Sequence, residues 1–140
     1  MVFKGEFIMT QKNIDIMDRI VNELGYGKKI SKALEVVYIK RNVAIPYKED
    51  TLKVLIANLG LSGKATNALL RAKLFTLNDV VQYSQQSKIT NVKNFGINSG
   101  IEVLEAILDI CWDNMTEERR IAFLIDTVER NSDNIRDEFK

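Results

Sequence analysis

The most constraining feature of the sequence is the spacing of its apolar residues, which recur every three or four positions in successive segments. This spacing gathers them on one face of an α-helix. A hydroxyl residue precedes several of these segments, where it can accept a hydrogen bond from the first helical turn. The residues predicted to cap helices are Thr10, Ser62, Thr76 and Thr116. No alternating segment follows Val43–Ile45 to pair with it as a strand. The sequence therefore predicts an all-α fold.

The predicted helices form a single compact bundle of six to seven members. Their approximate ranges are 11–24, 30–41, 52–59, 62–73, 77–83, 101–113 and 116–130, and a short helical turn is expected over 87–92. The apolar face predicted for the first helix is formed by Ile14, Met17, Ile20, Val21 and Leu24. The face predicted for the helix over 101–113 is formed by Ile101, Leu104, Ile107, Leu108 and Cys111. The face predicted for the last helix is formed by Ile121, Leu124, Ile125 and Val128. Pro46 is expected to stop regular structure. Polar residues predominate from Asn131, which predicts a frayed C-terminus.

Composition excludes several classes of protein and site. With 140 residues, of which 46% are hydrophobic, the chain has enough apolar material for a packed core. It lacks both an apolar stretch of about 18 residues and the features of a signal peptide, which leads us to expect a cytoplasmic protein. Cys111 is the only cysteine and histidine is absent. An internal disulfide, a His/Cys zinc site and Ser-His-Asp or Cys-His catalysis are therefore excluded.

Charge is unevenly distributed along the chain. Residues 1–101 contain 15 Lys and Arg against 8 Asp and Glu, a net charge of +7, whereas residues 102–140 contain 5 against 11, a net charge of −6. We interpret residues 1–50 as a basic helical extension, 51–115 as the core, and 116–140 as an acidic helix and tail whose apolar stripe docks on that core. The basic portion favours an anionic partner. Ordinary solvated helix faces explain the same counts equally well.

The turn Phe95-Gly96-Ile97, between two predicted helices, is the feature of the sequence that most indicates a binding function rather than simple helix packing. We expect its glycine to adopt a positive φ, and its missing Cβ leaves room for a phosphate to approach the backbone N–H groups of the next helix. The turn predicts contact with a nucleic-acid backbone. A glycine between apolar residues also serves any pair of antiparallel helices, so the alternative is a purely structural turn.

Residues 59–112 resemble the C-terminal domain of the bacterial RNA polymerase alpha subunit. The resemblance begins in the stretch Leu61-Ser62-Gly63-Lys64-Ala65-Thr66-Asn67-Ala68-Leu69. It continues through the apolar positions Leu74, Leu77, Val80 and Val81 and through Gly96, Ser99 and Glu102. It implies a helix-hairpin-helix core that meets the minor groove of A·T-rich duplex DNA.

The resemblance also implies a set of DNA-binding residues. Lys64 takes the place of an arginine that enters the groove, Asn67 reaches base or sugar edges, and the backbone at Gly96 holds phosphates together with Asn98 and Ser99. Two substitutions depart from the family, because Lys64 lacks the planar guanidinium and Asn98 replaces a lysine. The loop before Gly96 is one residue longer. As structural alternatives, Lys64 is a solvated helix lysine and Ser99 bonds its own backbone.

The function expected from these features is non-enzymatic DNA binding by an accessory or regulatory protein in transcription. The expected partners are duplex DNA and RNA polymerase or a transcription factor, with no membrane, small-molecule substrate, cofactor or metal. Nothing in the sequence matches the dimerising domain of an alpha subunit. The alternative is a protein-protein interaction module that keeps the fold and has lost DNA binding.

Overall fold

The computed structural model describes residues 2–3, 7–45 and 48–140, which are predominantly helical. The α-helices of this part of the protein are α1 (Gln11–Gly25), α2 (Ile30–Val37), α3 (Glu49–Leu52), α4 (Gly63–Arg71), α5 (Leu77–Gln86), α6 (Ile97–Asp113) and α7 (Glu117–Arg130). Short 3-10 turns cover Ile56–Asn58, Ile89–Asn91 and Asp137–Phe139. A two-residue strand, β1 (Val2–Phe3), pairs antiparallel with β2 (Phe7–Ile8). The all-α class is confirmed, and the stop expected at Pro46 lies outside the described residues.

The four hydroxyl caps begin helices as the sequence predicts. Each side-chain oxygen accepts a hydrogen bond from the backbone N–H three residues on, at 3.1 to 3.3 Å. Thr76 also forms a reciprocal capping box, because the carboxylate of Asp79 accepts from the N–H of Thr76 at 3.1 Å. These bonds satisfy N–H groups that have no partner within the helix.

No helix among the described residues is long and apolar enough to cross a membrane.

The helices divide into two compact units rather than the one bundle expected. Unit 1 combines Met1–Ala44 with Met115–Lys140, and unit 2 is the continuous stretch Ile45–Asn114. The two terminal segments, which the sequence predicts to be separate extensions, therefore share one unit. Whether the expected boundaries at residues 50 and 115 delimit independently folding domains stays a prediction.

The C-terminal segment is the most unexpected part of unit 1. Helix α2 ends at Val37, earlier than expected, because Tyr38 is extended and forms an antiparallel bridge with Ile135. Ile135 is buried and a 3-10 turn follows it. The predicted fraying beyond Asn131 is therefore wrong, since backbone pairing with a segment about 100 residues earlier in the sequence holds this one in place.

Asn131 anchors that segment with a fully buried carboxamide. Its Oδ1 accepts from the N–H of Asn42 at 2.7 Å and from Nδ2 of Asn134 at 3.0 Å. Its Nδ2 donates to the carbonyl oxygens of Asn42 at 3.0 Å and Thr127 at 2.7 Å. One side chain thus joins residue 42 to the end of α7 and satisfies the buried polar groups on both sides.

Helix α1 buries a face that differs from the predicted one. Its buried residues are Asn13, Ile16, Ile20 and Glu23, so of the apolar residues predicted to face the core only Ile20 is fully buried. The carboxylate of Glu23 sits between two cations, with Nε of Arg19 at 3.0 Å and Nζ of Lys28 at 2.7 Å. The hydrogen bond from Lys28 is the main reason that the pKa of Glu23 is lowered. This pairing allows a carboxylate on a core face.

Helix α7 packs against α1 within unit 1, and the expectation that it docks on the helix-hairpin-helix core stays a prediction. Its buried residues are Phe123, Leu124, Thr127 and Val128. Ile121, predicted to face inward, is exposed and Ile125 is half-buried. The predicted face is shifted because the helix turns Phe123 toward the unit 1 core.

Unit 2 is closed by pairings between residues far apart in the sequence. The helix predicted over 52–59 is wrong: α3 ends at Leu52, and Leu55 instead pairs with Thr76 in an antiparallel bridge. This bridge places the segment before α4 beside the segment that begins α5. At the two ends of the unit, Nζ of Lys48 donates to the carbonyl of Asn114 at 3.4 Å. The ends of unit 2 therefore lie close together.

Candidate nucleic-acid interface

Helix α4 presents two of the predicted DNA-binding residues to solvent. Ala65, Ala68 and Leu69 form its buried face, which leaves Lys64 and Asn67 exposed. The cap residue Ser62 fixes where the helix begins, since its Oγ accepts from the N–H of Ala65. The ammonium and carboxamide groups are thus accessible in the first two turns of α4.

Glu102 of α6 links the start of α4 to the start of α6. Its carboxylate accepts two hydrogen bonds from Ser62, one from Oγ at 2.9 Å and one from the backbone N–H at 2.5 Å. A carboxylate at a helix N-terminus is favoured by the helix dipole, and two donors hold it in one orientation. Glu102 lies six residues after Gly96, so this link brings the two predicted DNA-contacting segments together.

Gly96 does not adopt the positive φ expected from the sequence. Gly96 has φ −107° and ψ −176°, an extended conformation that any residue adopts. The positive φ of this turn occurs at Asn94, with φ 66°. A Cβ added to Gly96 would meet no atom within 4 Å. Neither backbone strain nor packing within the protein requires glycine here, and what the residue provides is open space in front of α6.

The first turn of α6 begins at this open space. Gly96 is its N-cap and offers no side-chain acceptor, and the first bond of the helix runs from the N–H of Gly100 to the carbonyl of Gly96 at 3.0 Å. The three preceding N–H groups therefore have no partner within the helix. Asn98 is exposed, whereas Ser99 is only 8% exposed. The structure thus places Asn98 on the open side and Ser99 on the packed side of the turn.

Gly100 allows the first turn of α6 to pack closely against the 3-10 turn Ile89–Asn91. A Cβ built on Gly100 would lie 3.5 and 3.6 Å from the methyl carbons of Thr90 and Ile89. These are ordinary van der Waals distances, so the 3-10 turn packs closely on α6. Buried Val92 and Phe95 lie on either side of the Lys93-Asn94 turn. The orientation of the α6 start is therefore fixed by packing on one side and by Glu102 on the other.

The long helix α6 exposes an apolar stripe formed by Ile97, Ile101 and Leu104, which are 75%, 47% and 56% exposed. Ile101 and Leu104 are predicted by the sequence to face inward, and that prediction is wrong. The core face of the helix consists of Ser99, Gly100, Val103, Ile107, Leu108, Cys111 and Trp112. Because small residues line the packed side of the first turn, the neighbouring segment approaches there and turns the larger aliphatic residues outward.

Cys111, which the sequence predicts to face inward, is buried, and so is its neighbour Trp112. Burial raises the pKa of the Cys111 thiol to about 11, which keeps it protonated and a poor nucleophile at neutral pH. Among the described residues, no group of three or more Cys, Asp or Glu side chains is arranged to hold a metal ion.

The structure therefore exposes Lys64 and Asn67 of α4 and Gly96 and Asn98 at the start of α6, and the Ser62–Glu102 pair joins the two helices. Ser99 faces the packed side. Sequence reasoning assigned no role to Glu102. The resemblance gave a signal for it, but the link to Ser62 joins positions 40 residues apart and becomes visible only in three dimensions.

Comparisons with known proteins give a family match for part of the sequence. Residues 44–109 match the family model for the C-terminal domain of the alpha chain of bacterial RNA polymerase. Three relatives are each named DNA-directed RNA polymerase subunit alpha. The protein of Gracilaria tenuistipitata var. liui is 37% identical over 75 residues, covering 54% of this sequence and 24% of the relative. That of Rhodomonas salina is 28% identical over 116 residues, covering 81% and 37%. That of Mesostigma viride is 43% identical over 54 residues, covering 39% and 17%.

The protein spans between about a sixth and somewhat more than a third of the length of these relatives. No solved structure matches it. The three alignments have different extents, and the family model covers the whole of unit 2 except its last five residues.

Proposed function

Because residues 44–109 belong to the family of RNA polymerase alpha C-terminal domains, we propose that unit 2 binds duplex DNA in transcription without catalysing a reaction. The observation that carries the proposal is the link from Glu102 to Ser62. It holds an exposed cation and carboxamide on α4 beside free backbone donors on α6. This combination suits a phosphate backbone and a groove better than it suits a small substrate.

The proposed mode of contact is through the minor groove and the backbone. Lys64 would enter or line a narrow A·T-rich groove, where negative potential is concentrated. Asn67 would reach base or sugar edges, and the N–H groups that follow Gly96 would receive a phosphate. Asn98 would add a neutral hydrogen bond, while buried Ser99 would support the turn rather than donate to DNA directly.

The proposed role of the whole protein is that of an accessory or regulatory factor. The match covers one portion of the alpha-subunit relatives, and unit 1 contains residues outside the family match. Unit 2 would supply the DNA contact, and RNA polymerase or a transcription factor would be the protein partner.

A titration of the whole protein with fluorescent A·T-rich and G·C-rich duplexes at 50 and 200 mM salt tests the proposal. Phosphate contacts release counterions, so affinity should fall by on the order of tenfold or more over this range for a few contacts. The A·T-rich duplex should bind more tightly if the minor groove is read. Absence of binding at 50 mM salt would refute the proposal.

Substitutions at the two segments sharpen this test. Lys64→Ala should weaken binding and change the free energy of unfolding by less than about 0.5 kcal/mol, because the residue is exposed. Gly96→Val should block phosphate approach and cost at most about 1 kcal/mol of capping preference, because its φ is already extended. Lys12→Ala is the matched control, since it removes one exposed lysine of α1. If the parent and Lys64→Ala bind the duplex with equal affinity, the proposed contact of Lys64 with the minor groove is refuted.

The second candidate function, a protein-interaction module without DNA affinity, is favoured by the exposed stripe of Ile97, Ile101 and Leu104. Aliphatic residues at this spacing are typical anchors for a partner helix. An Ile101→Lys/Leu104→Lys variant discriminates the two functions. It should bind duplex DNA at least as well as the parent if DNA is the partner, and lose a protein partner if the stripe is the working surface.

A further inference from the structure

The exposed face of α4 continues beyond its first two turns. Lys64, Asn67 and Arg71 occupy positions i, i+3 and i+7, which lie within about 60° of one another around a helix. All three are exposed. With a rise of about 1.5 Å per residue, the Cα atoms of Lys64 and Arg71 are roughly 10 Å apart along the axis. A cation therefore stands at each end of one exposed face.

Lys73 adds a third cation just beyond the C-terminal end of the same helix. Its backbone conformation is one that a lysine rarely adopts. It has φ 63°, in the left-handed region where glycine is the preferred residue after a helix. Its side chain is exposed. The helix end is closed by backbone bonds alone, from Lys73 N–H to Leu70 at 3.0 Å and from Leu74 N–H to Leu69 at 3.0 Å. Glycine would make the same bonds without strain.

The electrostatic surroundings leave these two cations available. Among the described residues, no acidic side chain forms an ion pair with Arg71 or Lys73. The acid closest in sequence is Asp79, whose carboxylate is held by the N–H groups of Phe75 and Thr76. A favourable interaction with the helix dipole accounts for Arg71. It does not explain why a lysine occupies a position that favours glycine.

We propose that Arg71 and Lys73 form a second phosphate anchor, so that bound duplex extends along α4 from Lys64 to Arg71. This inference rests on the proposed DNA binding of unit 2 and adds the direction of the duplex and two contacting residues. Duplex DNA has one negative charge per about 1.7 Å of axis, so cations roughly 10 Å apart meet different phosphates. The guanidinium of Arg71 is suited to bidentate phosphate binding, and Lys73 acts as a point charge beside it.

The test uses the whole protein and three single variants, Arg71→Ala, Lys73→Gly and Lys64→Ala, with Lys12→Ala as the charge-matched control. Binding of one A·T-rich duplex is measured by fluorescence anisotropy at several salt concentrations, and thermal unfolding is measured in parallel. Each anchor variant should lower affinity by about threefold to tenfold and reduce the slope of log K against log salt by about 1. The control should leave both unchanged.

Lys73→Gly gives the decisive readout because its two effects have opposite signs. Removing the positive-φ strain should keep or raise the melting temperature, while removing the charge should weaken DNA binding. A merely structural lysine would not show this combination. Asn94→Gly, which relieves the other positive φ without removing charge, should leave the salt slope unchanged.

The outcomes separate this inference from the proposed function. If Lys64→Ala weakens binding while Arg71→Ala and Lys73→Gly bind like the parent with an unchanged salt slope, the second anchor is refuted and DNA binding by unit 2 stands. If the parent binds no duplex at low salt, both are refuted. If both anchor variants weaken binding and reduce the slope, the duplex lies along α4 as proposed.

Discussion

The two units use the same kinds of polar residue in opposite ways. In unit 1, Asn131 and Glu23 are buried and their side chains bond to the protein itself. In unit 2, Asn67 and Lys64 are exposed at the first turns of a helix. A buried polar side chain must find its partners inside the fold, whereas an exposed one remains available to an external ligand. The surroundings of a residue, more than its type, therefore separate a structural role from a binding role.

Deleting residues after Asn114 tests the contrast most severely. The deletion removes five buried apolar side chains of unit 1, Met115, Phe123, Leu124, Val128 and Ile135, whose burial contributes about 8 to 15 kcal/mol at roughly 1.5 to 3 kcal/mol each. This amount equals the stability of a typical domain. We expect calorimetry to lose the unfolding transition of unit 1, while anisotropy shows DNA binding retained by unit 2. Loss of DNA binding with unit 2 still folded would place part of the site in unit 1.

Asn131→Ala should have the next largest effect. It removes the four hydrogen bonds of a buried carboxamide and leaves the backbone groups of Asn42 without partners, at a cost of about 2 to 4 kcal/mol. Urea unfolding measures this loss, with the exposed Asn22→Ala as the control. The duplex affinity of the folded variant should equal that of the parent, and a weaker affinity would contradict the division of roles between the units.

Glu102→Ala sharpens the comparison from the side of unit 2. The variant loses both hydrogen bonds to Ser62, which should cost about 1 to 2 kcal/mol of stability and loosen the α4 segment relative to the α6 start. DNA affinity should fall although Glu102 carries a negative charge, whose removal alone would favour DNA. Asp113→Ala, which removes an exposed acid of the same helix, should bind DNA as well as the parent or better. An affinity gain in Glu102→Ala would refute the positioning role.

The smallest expected effect concerns the pH dependence of unit 1. The pKa of Glu23 is lowered in the folded protein, chiefly by the hydrogen bond from Lys28. Its stabilising contribution is therefore present above the ordinary carboxyl pKa and is lost as pH falls through the lowered folded value. Glu23→Gln should be less stable than the parent at neutral pH, and the difference should shrink as the pH falls below the ordinary carboxyl pKa of about 4. A difference that stays constant over this range would show that Glu23 acts through packing alone.

The sequence predicts those features of the fold that depend on neighbouring residues. The four hydroxyl caps and the helices they begin follow from groups three residues apart. In α2, the apolar residues at helical spacing, Ile30, Ala33, Leu34 and Val37, are all buried. In α1 and α6, by contrast, the core face depends on which neighbour packs against the helix, so the apolar pattern alone identifies only some of the buried residues.

For the candidate site, the sequence predicts which residues are involved but not their backbone conformation, burial or mutual contacts. The resemblance pointed to the start of α4 and to the turn at Gly96, and both lie in the segment that the family model matches. The φ of Gly96, the burial of Ser99 and the bond from Glu102 to Ser62 depend on contacts across tens of residues. The pairing of Asn42 with Asn131 spans 89 positions and has no local signal at all.

The contact between Lys48 and the carbonyl of Asn114 has a consequence for the thermodynamics of the whole protein. Unit 2 is an insertion of 70 residues within the sequence of unit 1. If unit 2 were unfolded, folding unit 1 would require closing a flexible loop of that length, an entropic cost of roughly 4 kcal/mol. A folded insert whose ends already lie close together removes most of this cost. Folding of the insert therefore favours folding of its host, and a duplex that stabilises unit 2 stabilises unit 1 through the same loop entropy.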